Sequence, residues 1–267
     1  MRDTKVIQGL SNADYHADPS ISKSGLDLIN KSPLHYWDRY LNEDKPKYVP
    51  NEAFNVGSLL HNMILEPEQF DEEFIVTPAD LNRRTKAGRE EYQALLDTGK
   101  IVITQDDYKL CQRMTSAISQ HRKASRYLAT SGHSELSLFW KDKDTGVDCR
   151  CRPDFMTEDG YIVDLKTSLT ASQRGFSRKA IWDFRYHVQA AFYTEGYLAC
   201  YGELPKGFIF VAVEKTSPFS IGVFNVPVDT YKAGEELVRK NLATYKWCLD
   251  NNVWPSYNND EEMELKV

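Results

Sequence analysis

The segment from Cys149 to Lys166, CRCRPDFMTEDGYIVDLK, decides the predicted fold. It predicts a β-hairpin in which CRCRPDFM is extended and ends near Thr157. The letters EDG form the turn, because Asp159-Gly160 is a common tight-turn pair. The return strand, YIVDLK, is rich in β-branched and aromatic residues, which favour strands.

Each strand of this hairpin carries an acid. Asp154 follows a proline, and Asp164 lies in an otherwise apolar run, with Lys166 two residues beyond it on the same strand face. A buried carboxylate is costly unless it is paired or bound to a cation. Two facing acids beside an amine are consistent with a divalent metal site. The alternative is an Asp–Lys ion pair on an edge hairpin.

Length and composition are those of an ordinary soluble domain. The 267 residues suffice for one large α/β domain, and 41% of them are hydrophobic and 27% charged. The sequence contains no run of about 18 apolar residues, so it predicts no transmembrane helix. The first residues lack the apolar core of a secretory signal. Five cysteines without disulfide-framework spacing indicate a reducing compartment, so we expect a cytoplasmic protein without a membrane partner.

Positive charge is clustered, although the formal net charge is −6. This total argues against a generally basic surface for nucleic acid but not against a local basic groove. The candidate phosphate-binding residues are Arg83, Arg84, Lys86, Arg89, Arg178 and Arg185. Cations in the first turn of a helix are unfavourable unless an anion binds there. For the first four residues, a solvated run of charges is the alternative.

One predicted helix presents a histidine. The segment Phe54–Leu65, FNVGSLLHNMIL, places Gly57 and His61 four residues apart on one helix face. A glycine in mid-helix costs about 1 kcal/mol relative to alanine, so we expect another backbone to approach it closely. His61 is then either a satisfied core histidine or a metal ligand presented by this helix.

Caps and periodicity predict the other helices. Residues 1–20 are expected to be extended, and a Ser24/Asp27 capping box begins a helix that runs to about Asn30. The further predicted helices begin near Ser32-Pro33, Ala87, Thr104 (with Asp107 as its capping box), Ser177 and Thr230, and end near Leu41, Leu96, His121, Tyr201 and Asp250.

The predicted sheet begins at Glu135. The segments ELSLFW, VDCRCRPDFM and YIVDLKT are predicted to form a three-stranded meander, with Glu135 placed to project near the two aspartates. The nearly continuous apolar run 208–213 is typical of a central strand, and 221–226 is a further strand. The long helix predicted from Ser177 to Tyr201 precedes these two strands. Gln189 and Tyr193 are four residues apart on it and share one face.

Five motifs occur along the chain: Gly57-x-x-x-His61, Glu135, Pro153-Asp154, Asp164-Leu165-Lys166 and Gln189-x-x-x-Tyr193. In this order they resemble the PD-(D/E)xK nuclease superfamily, in the RecB-like branch. The segments YHADPSISKSGLDLINKSPLHYW, GSLLHNMILEPEQF, NRRTKAGREE, CRCRPD and RYHVQAAFY are more closely similar to the nuclease domain of the RecE exonuclease family (exodeoxyribonuclease VIII). This similarity runs from about Gly9 to Pro255.

The resemblance implies an α/β fold with a PD-(D/E)xK, restriction-endonuclease-like core. Helices are expected to flank a central mixed β-sheet, and the N-terminal part is expected to be helical. With no internal repeat or linker, the sequence predicts a single nuclease domain over residues 1–267. Its expected parts are a mainly helical region at about 21–134, a catalytic core at 135–250 and an acidic tail at 255–267.

The resemblance also implies an activity. It is that of a Mg²⁺-dependent 5′-to-3′ exonuclease, with Mn²⁺ as a substitute, which acts on double-stranded DNA ends. The expected product is a 3′ single strand for annealing-type recombination, and the expected partners are further copies in a tetrameric ring and a RecT-like single-strand-annealing protein. The long N-terminal region of RecE has no counterpart here, so a free-standing nuclease from a phage or prophage is expected.

The matching motif positions imply a metal site. His61, Asp154 and Asp164 are expected to bind the metal, with the carbonyl of Leu165 as a further ligand. A histidine ligand is less typical of Mg²⁺ and also suits Mn²⁺. Glu135 is a catalytic candidate near a second metal, and whether there are one or two metals stays open.

The remaining motif residues are expected to act on the substrate. Lys166 orients or deprotonates the attacking water, or stabilises charge on the phosphorane. Two neighbouring aspartates would raise its pKa, which favours the electrostatic role. Gln189 and Tyr193 position DNA or support Lys166.

Two alternatives remain open at this point. One is a structure-specific or restriction-like endonuclease with the same core. The other is a catalytically inactive DNA-binding assembly subunit, against which the complete set of acids and lysine argues. An iron–sulfur nuclease is rejected, because its cysteine pattern does not match cysteines at 111, 149, 151, 200 and 248.

Overall fold

The computed structural model describes residues 4–45, 56–257 and 262–264. Its strands are β1 (Lys5–Ile7), β2 (Phe74–Val76), β3 (Ile101–Ile103), β4 (Gly132–Ser134), β5 (Ser137–Lys141), β6 (Asp148–Cys151), β7 (Phe155–Thr157), β8 (Tyr161–Ser168), β9 (Gly207–Glu214) and β10 (Ile221–Asn225). Five of them form a mixed sheet with the order β10-β9-β8-β7-β4, and the others form a three-stranded sheet, β1-β5-β6, and the pair β2-β3.

Helices cover both faces of the five-stranded sheet. They are α1 (Asn12–Ala17), α2 (Lys23–Lys31), α3 (Pro33–Tyr40), α4 (Val56–Leu65), α5 (Phe70–Glu73), α6 (Lys86–Leu96), α7 (Gln105–Gln120), α8 (Arg122–Leu128), α9 (Gln173–Trp182), α10 (Tyr186–Tyr201) and α11 (Val228–Asn251). Among the described helices, none has the length and apolar character needed to cross a bilayer.

Alternation along β8 and β9 creates a hydrophobic core on each face of the sheet. Ile162 and Phe208 belong to the core shared with α10 and α11. Val163 and Leu165 belong to the core shared with α4 and α7. The apolar run of β9 lies between β8 and β10, parallel to the first and antiparallel to the second, which confirms an interior strand. Asp164 is two residues beyond Ile162 on β8, so its side chain points to the same face of the sheet, towards α10.

The predicted hairpin is confirmed, but the predicted meander is wrong. β7 pairs antiparallel with β8, with Phe155 opposite Val163, and Gly160 takes a φ of 91° in the turn. β5 pairs with β6 on one side and with β1 on the other, and the three strands form a separate sheet. The predicted strand CRCRPDFM is therefore two strands, since β6 ends at Cys151 and β7 begins at Phe155. Pro153 lies in this break, and without an N–H it cannot continue a strand ladder.

The N-terminal predictions need two corrections. Residues 1–20 contain β1 and α1 within their described part, rather than only extended chain. The α2 helix is capped by Ser22, whose hydroxyl accepts a hydrogen bond from the Gly25 N–H, and not by the predicted Ser24/Asp27 box. The predicted start of α3 at Pro33 is confirmed.

Two other helix predictions have different outcomes. The Thr104 cap of α7 is confirmed, since its hydroxyl accepts from the Asp107 N–H and donates to the Asp107 carboxylate over 2.6 Å. The single helix predicted from Ser177 to Tyr201 is wrong. It is two helices, α9 and α10, separated at Arg185, whose left-handed φ of 51° breaks the helical path.

The histidine-bearing helix begins at Val56 within the described residues. The predicted first residues, Phe54 and Asn55, lie outside the described ranges. Gly57 is therefore in the first described turn of α4, and the expectation that another backbone approaches it stays a prediction.

Helices α10 and α11 cross closely at Gly234. A Cβ atom there would lie 2.1 Å from the carbonyl oxygen of His187. We expect Gly234→Ala to lower the free energy of unfolding by about 1–3 kcal/mol, as overpacking does. Helix propensity alone would favour alanine by about 1 kcal/mol, so the sign of the change is informative. Chemical denaturation measures it.

The matched control is Ala243→Gly at an exposed position of the same helix. It should lower the free energy of unfolding by about 1 kcal/mol, from helix propensity alone. A Gly234→Ala protein as stable as the parent, or more stable, would contradict the close crossing.

Candidate active site

A buried ion pair lies at the centre of the site. The Nζ of Lys166 lies 2.5 Å from Oδ1 of Asp164, as their shared strand face predicts. Asp164 is fully buried, whereas the Lys166 side chain is 20% exposed and so remains open to a substrate. Gln189 on α10 donates from Nε2 to the other oxygen of Asp164 over 2.5 Å. Both oxygens of Asp164 are therefore held by side chains of the predicted motifs.

The backbone of Leu165 connects two more motifs. Its N–H donates to Oδ2 of Asp154 over 2.7 Å, and its carbonyl lies 2.7 Å from Nε2 of His61. By the register of β7 and β8, the strand partner of Leu165 would be Pro153, which has no N–H to offer. The side chains of Asp154 and His61 thus take the place of strand pairing where β7 leaves β8.

These contacts determine which nitrogen of His61 is free. A carbonyl oxygen can only accept, so the hydrogen bond to Leu165 places the proton on Nε2. In the neutral imidazole this leaves Nδ1 as the lone-pair nitrogen, and Nδ1 faces Asp154, 3.6 Å from its Oδ2. An imidazole fixed through one nitrogen, with the other turned towards carboxylates, is the usual state of a metal-binding histidine.

Glu135 completes a compact group of ligand atoms. One ligand atom each from His61, Glu135 and Asp154 lies within 4.8 Å of the others. The predicted position of Glu135 as the first residue of a strand is wrong, because it lies between β4 and β5 with a φ of 49°. Its N–H donates to the carbonyl of Asp154 over 3.1 Å, which holds this unusual conformation beside the acid.

Negative charge dominates this group of side chains. Burial and, after it, repulsion from Asp154 raise the pKa of Asp164 to about 6, against the opposing attraction of Lys166. Burial likewise raises the pKa of Glu135 well above its usual range, followed by repulsion from Asp154 and Glu66. Such a concentration of acids is what a bound cation would relieve.

Lys166 is the opposite case. Burial alone would lower its pKa, but attraction to Asp164 and Asp154 outweighs burial, and its pKa is raised. The lysine is therefore a fixed ammonium group at neutral pH, as the sequence predicts.

The donor set fits a divalent cation. Carboxylate oxygens with one imidazole nitrogen suit Mg²⁺ and still better Mn²⁺. His61, Glu135 and Asp154 would hold the ion. The assignments of Asp164 and of the Leu165 carbonyl as ligands stay predictions, since their oxygens already accept hydrogen bonds or an ion pair in the structure.

Three contributors were missed in the sequence. Tyr186 lies under the lysine, with Nζ of Lys166 5.0 Å from its ring centre. Glu66 follows α4 and acts electrostatically on Glu135. Arg152 donates to Ser137, Asn12 and the carbonyl of Leu10, and its charge is near Glu135 and Glu66. Tyr186 precedes Gln189 by three residues, a helical spacing that could have indicated it.

Tyr193 lies one turn beyond Gln189, half-buried beside Phe208, with ring centres 6.2 Å apart. Burial raises its pKa well above the usual range, with smaller contributions from Tyr15 and the site aspartates. It is therefore a neutral phenol near the acids, and its catalytic role stays a prediction.

The predicted phosphate-binding residues form two separate groups. Arg83, Arg84 and Arg89 line an open groove of about 580 Å³ with Tyr92, and the Arg83 guanidinium lies 3.9 Å from the Tyr92 ring centre. Lys86 is exposed, 3.8 Å from Glu90.

The second group consists of Arg178 and Arg185. Arg178 is exposed on α9. Arg185 is mostly buried and lies 2.7 Å from Asp27, so its charge is already paired within the protein. Phosphate binding by either group stays a prediction.

The family model of a PDDEXK-like domain of unknown function (DUF3799) matches residues 22–265. Because the match covers most of the sequence, the chain belongs to this family. The mixed α/β architecture is accordingly a restriction-endonuclease-like fold, which confirms the predicted fold class. Family membership and the assembled site together support a nuclease.

Solved structures share this fold at low sequence identity. A "putative exonuclease" from Eubacterium rectale aligns over 98% of this chain and 97% of its own, with a TM-score of 0.64 and 14% identity, which shows the fold alone. The structure of SSO0001 aligns over 71% of this chain and 86% of its own at 15% identity, and its TM-score of 0.30 is too low to carry an argument. No curated protein matches the sequence.

The charge of Glu135 should destabilise the metal-free protein. An acid with a raised pKa keeps its proton in the folded state above 4.5, its ordinary value, while the unfolded chain releases it. The free energy of unfolding therefore falls as pH rises through this window. We expect Glu135→Gln to unfold at a higher temperature than the parent at pH 8 in EDTA, with a smaller difference at pH 5.

The measurement is a thermal melt with and without Mn²⁺. The divalent ion should stabilise the parent and have a much smaller effect on Glu135→Gln, which lacks one ligand charge. Glu91→Gln on exposed α6 surface is the control and should follow the parent in every condition. A Glu135→Gln protein that melts below the parent in EDTA would contradict the account of this acid.

Proposed function

We propose that this protein is a metal-dependent exonuclease that degrades one strand of linear double-stranded DNA in the 5′-to-3′ direction. One observation carries the proposal of a metal-dependent nuclease. Ligand atoms of His61, Glu135 and Asp154 converge within 4.8 Å, beside a lysine that is bound to Asp164 and still partly exposed. Metal ligands next to a fixed cation form a suitable site for hydrolysing a phosphodiester.

A Mg²⁺ ion, or Mn²⁺ in its place, would polarise the scissile phosphate and lower the pKa of a bound water. His61, Glu135 and Asp154 would hold that ion. The Leu165 backbone orients two of them, because it donates to Asp154 and accepts from His61. This arrangement is built before substrate arrives, so little reorganisation accompanies the reaction.

Lys166 acts as a positive charge rather than as a base. Its raised pKa keeps it protonated, and Asp164 and the Tyr186 ring fix its direction. It donates to the phosphate oxygens as negative charge develops on them. Gln189 supports this role indirectly, because it donates a hydrogen bond to the carboxylate of Asp164, which in turn pairs with the lysine.

The choice of an exonuclease rests on resemblance. The motifs and segments are similar to those of the RecE exonuclease family, and the solved neighbour from Eubacterium rectale bears the name of an exonuclease. The 5′-to-3′ direction, the 3′ single-stranded product, a tetrameric ring and a RecT-like annealing partner belong to this part of the proposal. So does a role in phage recombination.

The test compares a linear duplex labelled at one 5′ end with the same DNA as a closed circle. Mg²⁺-dependent loss of the linear duplex, with the circle intact, is the expected result, and EDTA should stop it. Early release of the 5′ label, while the complementary strand stays intact at that end, would support the 5′-to-3′ direction. Cutting of the circle would instead indicate an endonuclease, and DNA binding without cleavage would indicate an inactive assembly subunit.

Replacing the lysine tests its role. We expect Lys166→Ala to lower the cleavage rate by about 10²–10³-fold, the usual cost of losing a charge-stabilising donor, while DNA binding in EDTA persists. The control is Lys109→Ala, which removes an exposed lysine of α7. Circular dichroism of both variants checks folding. A folded Lys166→Ala protein that cleaves at the parent's rate would contradict the assignment.

A further inference from the structure

The helix that follows the catalytic strand has an unusual surface. Residues Gln173–Trp182 of α9 include three basic side chains and no acid: Arg174, Arg178 and Lys179. Trp182 at its end is 79% exposed, and Phe184 in the next loop is 48% exposed. Leu169, just after β8, is 71% exposed. The three basic side chains form no ion pair with any residue that the structure describes. Large apolar side chains beside such charge indicate a surface for a polyanion that also carries apolar groups.

This surface is continuous with the active site. The Nζ of Lys166 lies 5.0 Å from the Tyr186 ring centre. The Tyr186 ring stacks on Phe184, with centres 5.3 Å apart and planes inclined by 19°. Phe184 is two residues from Trp182 along the chain. Two stacked rings, Tyr186 and Phe184, thus extend from Lys166 to the half-exposed Phe184, and Trp182 lies next along the chain at the end of α9.

The loop that carries these rings is held from beneath. The left-handed Arg185 turns the chain from α9 into α10, and its guanidinium pairs with Asp27 on α2 over 2.7 Å. Lys23 on the same helix donates to the carbonyl of Phe184 over 2.7 Å and pairs with Asp27. The exposed rings therefore stand on anchored backbone, which lowers the entropy lost when a ligand stacks on them.

We propose that Trp182 and Phe184 form a stacking platform for unpaired bases of the DNA strand that enters the site. This inference rests on the proposed function and adds a substrate contact to it. Bases would stack on the platform while their phosphates follow the arginines of α9 towards Lys166. Because every base has an aromatic face, such contacts tolerate all sequences.

Charge favours nucleic acid over a protein as the occupant. Three basic side chains of α9 precede the platform and one exposed acid, Asp183, lies between its two rings, so its surroundings carry net positive charge. The centres of protein interfaces are, by contrast, depleted of charge. Phe184 stacks on Tyr186, which lies under Lys166, so a DNA strand whose phosphate reaches Lys166 passes close to this surface. A single strand supplies both the rings and the negative charge that this surface can bind.

Fluorescence tests the platform without requiring cleavage. A short 5′-phosphorylated oligothymidylate is titrated into the parent, Trp182→Ala, Trp182→Phe and Trp247→Ala in EDTA, with binding also followed by anisotropy of a labelled oligonucleotide. Trp247, which is 49% exposed on α11, is the matched control. All variants are then assayed for Mg²⁺-dependent loss of linear duplex.

We expect tryptophan quenching in the parent and in Trp247→Ala, and its loss in both Trp182 variants. Trp182→Ala should bind the oligonucleotide about 5-fold to 100-fold more weakly, whereas Trp182→Phe should retain most of the affinity because it keeps an aromatic face. Processing of linear duplex should slow in Trp182→Ala and recover in Trp182→Phe.

Two results would overturn the platform. One is equal oligonucleotide affinity in the parent and Trp182→Ala. The other is a change of oligomeric state in Trp182→Ala with unchanged DNA binding, which would make the surface a contact between protein chains. Failure of the proposed function has a different signature: the parent would bind and quench the oligonucleotide yet leave linear duplex intact.

Discussion

The hydrogen bond from the Leu165 N–H to the Asp154 carboxylate is the contact on which the site depends. It forms because Pro153 ends the pairing of β7 with β8 and leaves a backbone donor without a strand partner. The carbonyl of the same residue accepts from His61. One position of a buried strand, paired with β9 but left without a partner on the β7 side, thus orients an acid from one segment and a histidine from another, before any cation or substrate binds.

The same geometry concentrates negative charge that the fold alone does not neutralise. Asp164 is satisfied by Lys166 and Gln189, whereas Glu135 and Asp154 form no ion pair with a lysine or arginine among the described residues. The charge of Arg152 offsets the repulsion at Glu135 only in part. Acids that repel one another reduce the stability of the metal-free protein, and function explains why they are kept. The left-handed φ of Glu135 is a further local cost at the same place.

Local patterns predicted much of this arrangement and missed what depends on distant contacts. Alternation and a turn pair sufficed for the hairpin, and motif order sufficed to connect His61 with the two aspartates. The separate sheet of β5 and β6 depends on pairing with β1, more than a hundred residues away, which periodicity does not record. The break at Arg185 depends on Asp27 of α2, and the backbone bend at Glu135 on Asp154.

The central claim is that His61, Glu135 and Asp154 bind one divalent cation beside Lys166. Anomalous diffraction from crystals of the protein grown with Mn²⁺ measures this directly. We predict an anomalous peak within ligand distance of these three side chains, about 2.0–2.3 Å from the carboxylate oxygens, and its loss in Asp154→Asn crystals. Ordered crystals with Mn²⁺ in excess and no peak at this position, or a peak only elsewhere, would contradict the account.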